Sequence, residues 1–220
     1  MMAWDETWEK IFSSREWGKY PGEDIIRFIA RNFYAVEDRA TIKVLEVGCG
    51  PGANIWYLAR EGFSVYAVEG SASAIEKAHN RLAAEVPHWQ GELKVGDFLH
   101  LPFDDESFDA VIDIEAISCN EFEDSKKAYA EIARVLKPNG LLYSRAFAKG
   151  TLGDETGKEI SYNCYLPAVG PMSGTGCTRF TAEHDLPILF AAFSSFKYGY
   201  QQNGDRDGIF TKEWTVTATK

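Results

Sequence analysis

Apolar residues recur along the chain with two different periods. Ile25, Phe28, Ile29 and Phe33 fall at helical spacing with Arg27 and Arg31 on the other side, and Pro21-Gly22 punctuates the start. Upstream, residues 4–19 carry Trp4, Trp8 and Trp17 among charges and read as one amphipathic helical piece plus a turn. From residue 42 the pattern changes: residues 42–47 form a short apolar run ending at Gly48, as a buried strand does. Residues 54–60 are helical, with Ile55, Leu58 and Ala59 on one face, and residues 64–68 are a second strand closed by Glu69-Gly70. A helix over 73–84 has Ser73 and Glu76 as a capping box and Ile75, Ala78 and Leu82 as its stripe. Residues 93–95 and 108–114 are strands three and four. A helix over 121–136, with Ala128, Ile132 and Val135 inward, is stopped by Pro138-Asn139-Gly140, and residues 141–147 are strand five. Strands and helices that alternate with short joints give a parallel sheet covered on both faces.

The rhythm breaks at residues 150–176, which hold six glycines and two prolines and show no clear period. A loop of that length in a compact domain suggests a lid or binding loop. A helix over 181–193 follows. Two strands, about 196–201 and 213–219, end the chain, joined over 202–208 by hairpin chemistry that adds antiparallel strands to the sheet.

Composition narrows the class of protein. The 220 residues suit one domain, and 6 Trp, 10 Tyr and 14 Phe argue against disorder. With 23 Lys+Arg against 33 Asp+Glu, the net charge of −10 disfavours polyanionic partners, so no nucleic acid is expected. No apolar run suggests a membrane span, and the start, Met1-Met2-Ala3-Trp4-Asp5-Glu6, lacks the pattern of a secretory signal. Cys49, Cys119, Cys164 and Cys177 form no C-x-x-C pair and no disulfide scaffold; four thiols fit a reducing cytoplasm, and no metal site is expected. A monomer or homodimer is expected.

Residues 44–54, Val-Leu-Glu-Val-Gly-Cys-Gly-Pro-Gly-Ala-Asn, carry the most information. Glycines at a strand-to-helix joint let backbone approach a ligand, and Glu69, 21 residues after Gly48, is placed to accept hydrogen bonds from ribose hydroxyls. Two ligands compete. Gly48-x-Gly50-x-x-Ala53 formally satisfies a dinucleotide pattern. Against a dinucleotide, Glu46 puts a carboxylate beside the pyrophosphate position, and Pro51 removes an N–H donor. Glu46, Glu69, Asp97 and Glu115 also make the strand ends acidic. A cationic, phosphate-free nucleoside, S-adenosylmethionine (SAM), suits that field better.

The segment resembles the first motif of class I SAM-dependent methyltransferases. The order that follows is also similar: Glu69 after strand two, Gly96-Asp97-Phe98 after strand three, Ser107-Phe108-Asp109-Ala110-Val111-Ile112 at strand four, and Ala133-Arg134-Val135-Leu136-Lys137-Pro138-Asn139-Gly140 into strand five. The resemblance covers about residues 42–147. It implies an α/β, Rossmann-like, doubly wound fold: a mostly parallel seven-stranded sheet with antiparallel C-terminal strands and helices on both faces. One domain over 1–220 would comprise a helical cap (1–40), a cofactor-binding core (42–149), a lid insertion (150–180) and a C-terminal helix and hairpin (181–220). The implied activity is in-line methyl transfer from SAM to an O or N nucleophile of a small molecule. Glu46 and the Gly48, Cys49 and Gly50 turn would hold the methionine part, and Glu69 the ribose, with Gly70 and Ser71 beside it. Asp97 and Phe98 would hold the adenine, Ile114 would line the cofactor, and Tyr20 or Trp17 would cover it. Glu115 is the candidate base; Arg145 could instead bind an acidic group on the acceptor. Tyr162, Tyr165, Met172 and Arg179 are candidate acceptor contacts, and His184 is the one histidine to test as a base. A nicotinamide-dependent oxidoreductase and a non-catalytic SAM-binding protein stand as alternatives.

Overall fold

A computed structural model of the chain describes residues 4–204, 208 and 210–220. Met1-Met2-Ala3 and part of the 202–208 joint, to which two of the readings above apply, lie outside the described residues. Seven strands form one sheet in the order β3-β2-β1-β4-β5-β10-β9. β1 (Lys43–Val47) pairs in parallel with β2 (Ser64–Glu69) and with β4 (Phe108–Ile114). β3 (Gln90–Val95) flanks β2, and β5 (Leu136–Phe147) flanks β4, both in parallel. β10 (Phe210–Thr219) runs antiparallel to both β5 and β9 (Ser195–Gly204). The sheet is therefore seven-stranded, mostly parallel and doubly wound, with Rossmann-like order.

The core divides into two clusters, as a two-faced sheet requires. One gathers Val44, Val65, Ala67 and Ile112 with Ile25, Phe28, Ile29 and Phe33 of α2 (Glu23–Phe33) and Ile55 and Leu58 of α3 (Ala53–Arg60). The other gathers Leu45, Val111, Leu142 and Val216 with Ala128, Tyr129 and Ile132 of α5 (Phe122–Val135). Successive strand residues point to opposite faces, so unbroken apolar runs such as Val44-Leu45 feed both clusters.

Five expectations need correction. The cap of α4 (Ala72–Glu85) is Ser71, whose Oγ accepts from the Ala74 N–H at 3.1 Å. Ser73 lies one residue inside the helix, so the Ser73–Glu76 box does not form. Pro138-Asn139-Gly140 does not end the helix. β5 starts at Leu136, and the three residues lie in an irregularity between the Phe108–Leu136 and Ala110–Leu141 pairs, with Asn139 at φ +62°. The 150–176 stretch is not a bare loop: β6 (Lys158–Ser161), β7 (Cys164–Leu166) and β8 (Thr178–Arg179) form a second, antiparallel sheet. A disulfide joins Cys164 to Cys177 across it, so only Cys49 and Cys119 are free thiols. With two of the four cysteines oxidised, the cysteines no longer point to a reducing compartment. The late helix shrinks to a 3-10 turn, Glu183–Asp185, and one α turn, α6 (Leu186–Leu189). No helix among the described residues is long and apolar enough to cross a membrane.

Candidate active site

Strand order reverses between β1 and β4, so the loops leaving their carboxyl ends diverge and open a crevice. A cavity of about 280 Å³ fills it. Its floor is the β1–α3 joint. Gly48, Gly50 and Gly52 all have positive φ, and a Cβ on Gly48 would stand 2.2 Å from that of Ala116. Only glycine lets this joint pass so close to the β4 exit.

Three carboxylates leave the strand ends into this cavity. Glu46 is 2% exposed; its Oε1 accepts from Asn54 Nδ2 at 2.6 Å, and its Oε2 is buried without a hydrogen-bond partner. Burial pushes its pKa up to about 8, with Glu69 and Asp113 adding to the rise and the Asn54 donor opposing it. Glu69 ties two loops together: Oε2 accepts from the Gly50 N–H at 3.0 Å and Oε1 from the Ser71 N–H at 2.8 Å. Burial raises its pKa, and those backbone donors pull the other way. Asp97, after β3, accepts from the Leu99 N–H at 2.9 Å and lines the cavity beside Phe98.

At the β4 exit Glu115 stands in the left-handed region, φ +66°, unusual for a side-chain-bearing residue. Its Oε1 accepts from Arg145 Nη2. Arg145 also meets Asp24 (Nη1 to Oδ2, 3.5 Å) and faces Glu213 (Nε to Oε1, 3.1 Å). Burial works against the guanidinium's charge, but Glu115, Glu213 and Asp24 outweigh it and hold its pKa above the usual value. Burial, then Glu115, push Glu213 up to about 8, while Arg145 and Gln201 oppose.

The roof comes from elsewhere in the chain. Trp4, Trp8, Phe12, Trp17 and Tyr20 come from α1 (Thr7–Ser14) and its flanks, and Pro171, Met172 and Thr175 from the disulfide-closed loop. Trp8 and Trp17 meet edge to face at 6.0 Å between ring centroids, and Phe12 packs on both. Trp4 lies on Gly70, where a Cβ would stand 1.9 Å from the indole. Polar ties fasten this strap to α4: Glu9 accepts from Ser71 Oγ (2.5 Å), Ser73 Oγ and the Ser73 N–H, and Lys77 Nζ donates to the Phe12 carbonyl at 2.6 Å.

Tyr20, Glu46, Gly48, Cys49, Gly50, Glu69, Gly70, Asp97, Phe98, Ile114 and Glu115 all line this one cavity. Ser71 does not; the open N–H groups of α4 draw its hydroxyl into the cap. Burial, with Glu46 and Glu69 nearby, pushes the Cys49 thiol far up, so it stays protonated. Of the loop candidates only Met172 reaches the cavity. Arg179 is fully buried, donating to Thr181 Oγ1 and Ser125 Oγ, and His184 is solvent-exposed beside Tyr162. Sequence reasoning missed Asp5, Asn54, Asn120, Asp24 and Glu213. Asn54 carried a signal, a polar residue one turn past a glycine joint. Glu213 carried none, because it reaches Arg145 only through the β5–β10 register, in which Thr215 lies opposite Arg145.

Comparison with known proteins adds the chemistry. Residues 44–140 match the methyltransferase domain family. A methyltransferase of Streptomyces halstedii, GfsG, is 34% identical over 126 residues, 56% of this chain and 45% of that protein. An uncharacterized methyltransferase of Bacillus subtilis, YodH, is 37% identical over 102 residues, 45% of this chain and 40% of that protein. The chain thus spans under half the length of these curated relatives. Among solved structures, a SAM-dependent methyltransferase of Methanosarcina mazei superposes with a TM-score of 0.66 at 24% identity, covering 81% of this chain and 92% of that one. A Burkholderia thailandensis 1,6-didemethyltoxoflavin-N1-methyltransferase with bound 1,6-didemethyltoxoflavin and S-adenosylhomocysteine superposes at 0.60 and 20% identity, over 81% and 70% of the two chains.

Proposed function

We propose, from the premise that this chain carries a SAM-dependent methyltransferase domain, that it methylates a nitrogen or oxygen of a small molecule. The observation that carries the reading is Glu46 Oε2, a carboxylate oxygen buried in the cavity wall with no partner. A buried carboxyl with a bare oxygen is costly to ionise alone and is ionised by a cation set against it, whereas a pyrophosphate would make ionisation costlier still. The residues present therefore fit SAM: Glu46 for the ammonium, the Gly48–Gly50 backbone for the methionine carboxylate, Glu69 for the ribose, and Asp97 with Phe98 for the adenine.

When bound, SAM supplies a methyl group already activated on a sulfonium, whose carbon–sulfur bond breaks toward sulfur as the acceptor bonds to carbon. The protein's share is to align the acceptor and keep water out. The Trp8–Phe12–Trp17 cluster and the 171–175 segment roof the cavity for that purpose. Glu115 is placed to take the acceptor's proton. A small acceptor accords with the cavity's size and with the small heterocycle named for the Burkholderia neighbour.

Titration calorimetry with SAM and S-adenosylhomocysteine, followed by transfer of labelled methyl to a metabolite extract, tests this. Binding of both and label in a small product are expected. Binding of NAD(H) but of neither adenosyl compound would refute it. Binding without transfer would instead establish a SAM-binding protein that is not an enzyme.

A further inference from the structure

The walls of the cavity also bear on the acceptor. Among the described residues lining it, the acids are Asp5, Glu46, Glu69, Asp97 and Glu115, and the one cation is Arg145. Arg145 is already engaged by three carboxylates: Nη2 meets Glu115, Nη1 lies 3.5 Å from Asp24, and Nε faces Glu213 at 3.1 Å without a hydrogen bond. An acidic acceptor would have to compete with them for a side chain that is only 18% exposed. SAM carries a net charge of one, and in the reading above its ammonium pairs with Glu46. The sulfonium, beside the methyl it delivers, offsets one further charge; even allowing Glu213 a proton, Asp5, Asp24 and Glu115 outnumber Arg145 and the sulfonium, so the acceptor side stays negative after the cofactor binds.

Of that group, Glu115 is the carboxylate on the cavity wall, 30% exposed there. Its backbone is left-handed, φ +66°, and directs the side chain to Arg145 at some conformational cost. An independent feature points the same way. Trp8 and Trp17 line the cavity's roof, with Tyr20 beside the opening, and a cation that reaches the face of any of these rings is attracted by it. Met172, also on the roof, adds an apolar surface for the acceptor's body.

We infer that the acceptor is an amine on an aromatic or apolar body, drawn in as its ammonium by Glu115 and the Trp8 and Trp17 rings, and that carboxylate and phosphate acceptors are excluded. This rests on the SAM reading. It removes the role of anion binder that the sequence left open for Arg145. Asp5 is the further acid near the roof, where it holds the Thr7 N–H at 2.8 Å.

The test uses the whole chain saturated with S-adenosylhomocysteine, so that binding is read without turnover. Phenethylamine and 3-phenylpropionate are nearly the same shape with opposite charge. Calorimetry should show the amine binding at least about tenfold tighter, weakening as salt is raised. Glu115→Gln should abolish that preference, and Trp17→Ala should weaken the amine alone. Equal or tighter binding of the carboxylate, or no binding of the amine, overturns the inference and leaves the cofactor reading standing. A preference unchanged in Glu115→Gln also overturns it. Failure of S-adenosylhomocysteine to bind is a separate signal, which overturns the cofactor reading. The comparison on the unmodified protein holds whether or not the variants fold.

Discussion

Asn54 holds Glu46 by one oxygen and leaves the other bare: Nδ2 sits 2.6 Å from Oε1, while Oε2 is buried without a partner. The pair spans the glycine joint, so the strand and the helix on either side fix a charge-hungry oxygen at the cavity floor. Burial lifts the Glu46 pKa from its ordinary 4.5 to about 8.

That elevation sets a pH dependence. A carboxyl whose pKa is raised on folding contributes stability that is fully present below the unfolded value and lost as pH rises through the folded one. The free protein should therefore lose Glu46's contribution between pH 4.5 and about 8. Pairing with an ammonium needs the ionised form, so S-adenosylhomocysteine affinity should rise over pH 6–8 by up to about tenfold per unit, with proton release. Calorimetry in buffers of different ionisation enthalpy measures both, and Glu46→Gln should flatten the profile and weaken binding.

Glu69 joins the Gly50 and Ser71 amides. Glu69→Ala leaves both N–H groups without their acceptor and opens the two loops relative to each other. Cofactor affinity should drop by roughly 10–100-fold, the scale of one hydrogen bond to a charged group. Glu69→Gln, which keeps one acceptor, should fall between. If Glu69→Ala binds as tightly as the parent, the carboxylate does not organise the site.

The Cys164–Cys177 bond closes a loop over a sequence separation of 13 that brings Pro171, Met172 and Thr175 to the cavity. In the chain-entropy account a loop of that size contributes about 3 kcal/mol. Reduction, or Cys164→Ser, should lower the melting temperature and raise amide exchange across residues 164–177. The sheet core, which makes no use of the bond, should exchange as before. Uniform exchange changes would show that the bond supports the whole fold instead.

Glu9 fastens the N-terminal strap to Ser71 and Ser73. Those hydroxyls lower its pKa, so its contribution is present above the ordinary carboxylate value and lost as pH falls through the lowered one. Glu9→Ala should free the strap, increasing proteolysis within residues 4–20 and accelerating cofactor release, with little effect on the melting of the sheet. Saturating S-adenosylhomocysteine should restore part of the protection.

The sequence by itself determined the alternating β-α core from β1 to β5 and the acidic strand ends that face the cavity. Each β-α unit announces itself locally, through apolar runs of strand length, helical stripes and glycines that only a tight joint requires. Glu46, Glu69, Asp97 and Glu115 all follow or end such a strand, so parallel order alone brings them to one edge of the sheet. What tertiary structure decided is everything that depends on distant segments meeting. Ser71 turned to the cap of α4 because its hydroxyl accepts from the Ala74 N–H there while donating to Glu9. Two cysteines with no local pairing signature met across a small antiparallel sheet. Asp24 and Glu213 closed on Arg145 from a helix and a neighbouring strand whose register no local pattern encodes. Local sequence fixes backbone conformation through short-range sterics and hydrogen bonding, whereas the charge balance of a cavity is a sum over side chains far apart in the chain, defined only once the chain is folded.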